Sequence, residues 1–210
     1  MTIIGLTGNY GMGKSSVAKM FRELGAITID TDDIVRGLLK DSAVIYEIKK
    51  AFGEDIIQRS AVSGQPSEIN RKMLADIVFE HPHLRISLED ILHPRVFKKI
   101  DEELLKISRP GKETIVIIEA PVIFERGYQN RFDKIITVFT SEEIAIQRLK
   151  EKGISEEVAR QRLKSQFPIE MKMSKSDYKI DNSKELSDTR GQVEFIYQEL
   201  LLTERRHGNN

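Results

Sequence analysis

The residues with the strongest chemical signature lie near the start of the chain, where GNYGMGKS runs from Gly8 to Ser15 and fits the spacing GxxxxGK[ST]. Glycines at 8, 11 and 13 let the backbone close around an anion, so that successive N–H groups and the start of a following helix point at phosphate oxygens. The Lys14 ammonium then reaches β- and γ-phosphates, and the Ser15 hydroxyl can ligate Mg²⁺. A glycine turn without a ligand is the plainer alternative. A switch GTPase would need an NKxD-type stretch, which the chain lacks, and DTRG at 188–191 opens the last helix instead of following a strand.

Further carboxylates follow in AITIDTDDI, where a period of two places Asp30 and Asp32 on one side of an extended segment. At the carboxyl ends of parallel strands such groups face the ligand crevice. A kinase acting on an alcohol needs one of them to accept the hydroxyl proton and aim the oxygen. On spacing alone Asp32 has two readings, that base or the N-cap of the helix DIVRGLLK. Glu119, closing TIVIIEA, reads either as a Mg²⁺ partner through water or as a solvated strand end. Ala159, Arg162 and Gln166 fall at i, i+3 and i+7, on a helix face that could turn toward a bound triphosphate and bring it guanidinium charge. Arg160 and Lys164, among glutamates, read as a solvated face. His81 and His83 lack an acidic partner at metal-ligand spacing, and His93 reads as a polar residue before a helix-opening Pro94.

The elements that must position these groups alternate. TIIGLT, AITID (26–30), TIVIIEA (114–120) and KIITVFT (134–140) are apolar runs suited to strands buried on both faces, and YKID (178–181) is a weaker fifth. Helical patterns lie between them, which predicts a parallel sheet covered on both faces with right-handed crossovers. More than 80 residues separate the second and third strands, far beyond a simple crossover, so a helical insertion with patterns near 33–52, 68–80 and 83–107 is expected there. Ser141–Lys152 and Ser155–Gln166 predict a helical hairpin, each half starting at a serine cap and the two separated by Gly153. Val193, Ile196, Tyr197, Leu200 and Leu201 mark the core stripe of a terminal helix, and the tail ERRHGNN is expected to fray.

Composition removes whole classes of function. Thirty-three basic residues balance 33 acidic ones, so the chain lacks the charge footprint of a duplex nucleic-acid binder. With 210 residues and 40% hydrophobic content it can bury a core without staples. The absence of cysteine excludes disulfides, thiolate zinc sites and thiol nucleophiles, and points to the reducing cytoplasm. No apolar run reaches the length of a membrane span, and no basic side chain precedes Lys14 as a signal peptide would require.

The stretches GLTGNYGMGKSSVA, LGAITIDTDDIVR, NRKMLADIVF, LHPRV, EAPVIFE, ARQRLKSQ and MKMSKSDYKIDNS together resemble the dephospho-CoA kinase family across nearly the whole chain. The resemblance implies an α/β, P-loop kinase-like three-layer fold: a five-stranded parallel sheet, an inserted helical acceptor-binding subdomain and a helical lid. It implies one domain, with core 1–31, 112–140 and 177–205, insertion about 32–111 and lid about 141–176. Gly8, Gly11, Met12, Gly13, Lys14, Ser15 and Ser16 would hold ATP phosphates, with Ser15 on Mg²⁺, and Asp32 would be the catalytic carboxylate. Arg71 and His93 match acceptor-binding positions, Arg148, Arg162 and Gln166 the lid, and Asn182 the segment near the nucleotide base. ATP and dephospho-CoA are the implied substrates of a cytoplasmic monomer or weak homo-oligomer with no nucleic-acid or membrane partner. A kinase for a nucleoside monophosphate or another small molecule is the alternative, and a noncatalytic ATP-binding regulator a second. The family's usual GGIGSGKST is changed here by Asn9, Tyr10, Met12 and Ser16, its alanine before the late aspartate is Ser176, and TIDTDD replaces VIDAD.

Overall fold

The structure, a computed structural model, describes residues 1–59, 66–107 and 114–207. In chain order the elements are β1 (Thr2–Thr7), α1 (Lys14–Glu23), β2 (Ile27–Asp30), α2 (Thr31–Leu38), α3 (Ser42–Phe52), β3 (Ile57–Arg59), β4 (Pro66–Ile69), α4 (Arg71–Glu80), α5 (Pro82–Ile107), β5 (Ile115–Glu119), β6 (Lys134–Phe139), α6 (Glu142–Glu151), α7 (Glu156–Lys164), α8 (Ile169–Lys175), β7 (Tyr178–Asp181) and α9 (Leu186–His207). They form two compact units, Met1–Asp30 with Ser108–Asn210, and Thr31–Ile107. The expected end of the insertion at 111 and the last three residues of the tail lie outside the described residues.

The first unit is built on a parallel sheet of order β2-β5-β1-β6-β7. Its inner strands are apolar almost throughout because both faces are covered: on one, Ile4, Leu6, Ile117, Ile136 and Val138 are 0% exposed and pack with Val17, Phe21, Val193, Ile196 and Leu200 of α1 and α9, and on the other Ile135 packs with Ile123, Phe124 and Phe132. Each such side chain contributes about 1.5–3 kcal/mol on burial, which fixes the sheet's register and therefore the positions of its strand ends. The serine caps are as expected, Ser141 accepting from Ile144 N and Ser155 from Val158 N, both at 3.3 Å, and Gly153 turns the chain at φ +81°. α8 was not anticipated, since seven residues show too little periodicity. Among the described residues no helix is long and apolar enough to cross a membrane.

The second unit departs from the sequence reading in three places. The pattern at 33–52 is two helices, α2 and α3, broken where Asp41 caps the amides of Ala43 and Val44. Residues 66–69 form a strand antiparallel to β3, and helix begins only at Arg71, capped by Asn70 through Met73 N at 3.1 Å. Pro94 does not open a helix but lies inside α5, which starts at Pro82. The lost N–H bond at Pro94 is tolerated because Leu92, Val96 and Ile100, at i, i+4 and i+8, are buried along one face of a 26-residue helix that packs against α2, α3 and α4.

Candidate active site

The turn between β1 and α1 is shaped by what surrounds it. At Gly8, φ +145°, a Cβ would sit 2.3 Å from the Val138 carbonyl oxygen, and at Gly13, φ +92°, one would sit 2.1 Å from Asn182 Nδ2. Only glycine fits either place. Gly13 caps α1 without a side chain, so no side-chain oxygen competes for the first amides of the helix, the groups an anion would take. Lys14 Nζ folds back over the loop and donates to Gly8 O at 2.9 Å and Asn9 O at 3.3 Å. Ser15 and Ser16 lie exposed on the first turn, while the Met12 side chain is buried beneath the loop.

The loop is braced from below and from the lid. Asn182, 6% exposed, donates to Met12 O at 2.9 Å and accepts from Thr189 Oγ1 at 3.0 Å, and its carbonyl accepts from Arg148 Nη2 at 2.9 Å. One end of the Asn182 amide thus holds the loop while the other is fixed to α9 through Thr189. From the lid, Gln166 Oε1 accepts from Tyr10 N at 2.8 Å, Arg162 Nη1 donates to the Tyr10 hydroxyl at 2.7 Å, and Asn9 Nδ2 donates to Phe167 O at 3.0 Å. Arg162 and Gln166 both reach Tyr10, but not from one helix face as the spacing predicted: α7 ends at Lys164 and Gln166 lies beyond its cap, while Ala159 is buried against Ile146, Leu149 and Leu163. Arg160 pairs with Glu142 and Glu156 at the surface, and Lys164 is exposed.

Sequence reasoning missed Lys172 and Glu125. Lys172 is 0% exposed and donates to Pro121 O at 2.7 Å, with Glu125 Oε1 at 2.6 Å. Glu125 Oε1 also accepts from Phe167 N at 3.1 Å, and Pro121 O accepts from Thr7 Oγ1 at 3.2 Å, so the pair links the exits of β1 and β5 to the end of the lid. Burial pushes the Lys172 ammonium below the usual lysine range, opposed by its hydrogen bond to Glu125. Nothing in MKMSK, with two further lysines nearby in sequence, distinguishes this one from a solvated side chain.

Asp30 and Glu119 end neighbouring parallel strands in direct register. The extended period does not reach Asp32, because helix begins at Thr31; Asp32 lies exposed in the first turn of α2, past the cap position. Both the alternation argument and the N-cap reading are therefore corrected, since the chain turns into helix immediately after β2. In the second unit Arg71 lies at the start of α4 with Nη2 3.5 Å from Arg36 O, and His93 is half-buried in α5. Burial pushes the His93 imidazole below its ordinary value, with Asp90 pulling it back. Among the described residues no three His, Cys, Asp or Glu side chains gather as a metal cage. The donors of the loop unit, the Ser15 hydroxyl and the Asp30 and Glu119 carboxylates, are hard oxygens of the kind that suits a cation keeping several waters and drawing its other ligands from phosphates.

A parallel sheet in this order, a glycine loop closed by a lysine after its first strand and a helical lid docked on that loop define the P-loop kinase class of phosphotransferases. Residues 2–188 match the profile of the Dephospho-CoA kinase family. A dephospho-CoA kinase of Aquifex aeolicus is 39% identical over 201 residues, covering 95% of this chain and 98% of its own length. Among solved structures, a Thermus thermophilus protein has a TM-score of 0.78 at 30% identity, covering 95% and 97% of the two chains. The dephospho-CoA kinase from Campylobacter jejuni has a TM-score of 0.65 at 30% identity, covering 94% and 96%. The chain belongs to the dephospho-CoA kinase family.

Proposed function

We propose that the chain transfers the γ-phosphoryl group of ATP to the ribose 3′-hydroxyl of dephospho-CoA, giving CoA and ADP, the last step of coenzyme A biosynthesis, in the cytoplasm. The observation that carries this reading is the braced loop: Gly13 and Asn182 interlock, Lys14 lies across the turn, and Arg162 and Gln166 reach it from the lid. Loop amides and Lys14 bind the triphosphate, and the lid arginines Arg148 and Arg162 balance charge on the transferring group while the lid excludes water. Mg²⁺, held by Ser15 with Glu119 or Asp30 through water, would neutralise phosphate charge. Asp32, two residues beyond the end of β2, accepts the hydroxyl proton and aims the oxygen; Arg71 and His93 bind the acceptor.

Acceptor-dependent ADP release, compared for dephospho-CoA, AMP, CMP and UMP, tests the reading. Dephospho-CoA is the expected acceptor; a preference for a nucleoside monophosphate moves the chain to another kinase, and ATP binding without acceptor-dependent release makes it a regulator. Asp32→Asn should lower turnover by about 10² to 10⁴-fold, the weight of general base catalysis, and leave ATP affinity in calorimetry nearly unchanged. A near-wild-type rate for that variant removes the carboxylate from the chemistry.

A further inference from the structure

Tyr10 stands inside the phosphate loop at a position where the resemblance gave no reason for an aromatic residue, and its side chain is turned to the lid rather than to solvent. Three contacts converge on it. Its hydroxyl accepts from Arg162 Nη1 at 2.7 Å, the Arg162 guanidinium carbon lies 4.9 Å from its ring centroid, and its backbone N–H is taken by Gln166 Oε1 at 2.8 Å. The ring packs against the buried cluster of Ile146, Leu149, Ala159 and Leu163 from α6 and α7. An arginine side chain is long and costly to order, and it can serve a phosphoryl group only in a narrow set of rotamers. A phenol that takes one N–H and offers a ring face restricts those rotamers while using one of five donors.

We infer that Tyr10 is a positioning residue that registers the Arg162 guanidinium to the phosphate loop, so that the arginine arrives at the triphosphate already oriented. The inference rests on the proposed phosphotransferase reading. Because loop and arginine are fastened through one side chain, the lid charge is set relative to the same backbone that would hold the phosphates.

The test is a cycle of wild type, Tyr10→Ala, Arg162→Ala and the double variant, with kcat and KM measured for ATP and dephospho-CoA. Arg162→Ala should lower kcat by about tenfold or more, the scale of a hydrogen bond to a charged group, and Tyr10→Ala by about three- to tenfold with KM for dephospho-CoA unmoved. In the Arg162→Ala background, adding Tyr10→Ala should change kcat by less than about twofold, since its partner is already gone. Tyr10→Phe keeps the ring against the lid cluster and loses only the acceptor, so it should fall between the two. Equal losses from Tyr10→Ala in both backgrounds, no loss in either, or a Tyr10→Phe enzyme at the full wild-type rate would each overturn the inference, leaving the tyrosine as packing. A wild-type chain that binds ATP without dephospho-CoA-dependent ADP release defeats the kinase reading separately. The same four proteins titrated with ATP by calorimetry then decide the coupling, which should again vanish in the Arg162→Ala background.

Discussion

In the unit that carries the loop, a lysine with no exposed surface meets a glutamate at 2.6 Å, whereas in Thr31–Ile107 the Arg95–Glu47 pair, 2.5 Å apart, leaves its side chains 32% and 42% exposed. The loop unit ties residues far apart in sequence through polar contacts, one buried and two partly buried: Met12 to Asn182, Tyr10 to Arg162, Phe167 to Glu125. The helical unit packs apolar faces such as Leu92, Val96 and Ile100, and its Arg95–Glu47 pair is half-exposed. A region that must hold donors in a fixed array around an anion uses costly, geometry-specific contacts.

Lys172→Met should give the largest effect. It strands a Glu125 carboxylate only 11% exposed, whose Oε2 already lacks a hydrogen-bond partner among the described residues, and should cost about 3–5 kcal/mol of stability by urea unfolding. The double variant Glu125→Leu/Lys172→Met should recover most of that, because no buried charge remains. Arg95→Met should cost at most about 1 kcal/mol, the worth of a half-exposed pair. Similar losses for the two single variants would erase the contrast between the units. Lys14→Ala comes next: removing the loop's ammonium should lower turnover by about 10² to 10³-fold and weaken ATP binding with it. Retained ATP affinity by calorimetry would detach the loop from the nucleotide.

What could be read in advance divides along the same line. The strands were legible because continuous apolar runs such as IVII announce burial on both faces, the lid helices because serines mark their starts, and the terminal helix because Val193, Ile196 and Leu200 keep one stripe. The loop was legible because its spacing is itself the chemistry. The β3–β4 pairing was hidden, since its first strand has three residues and its second starts with proline. Asp32 misled because an extended period was carried one turn too far. Tyr10 and Lys172 were opaque for a different reason: their partners lie 152 and 51 residues away, which no local pattern encodes.

The smallest effect sits in the helical unit and comes from His93. Its pKa is lowered, first by burial and against the pull of Asp90, so the folded chain binds its proton less readily than the unfolded chain does. Between the unfolded value near 6.5 and the lower folded value, the unfolded state therefore carries more protons, and stability must fall as pH decreases through that window. Above it both states hold a neutral imidazole, and below it both are protonated, so the contribution is flat on either side. Urea midpoints of wild type and His93→Gln should run parallel above pH 7 and converge or cross as pH drops below 6.5, because the variant lacks the titration. Parallel curves throughout would mean that the imidazole is as well solvated in the fold as in the open chain.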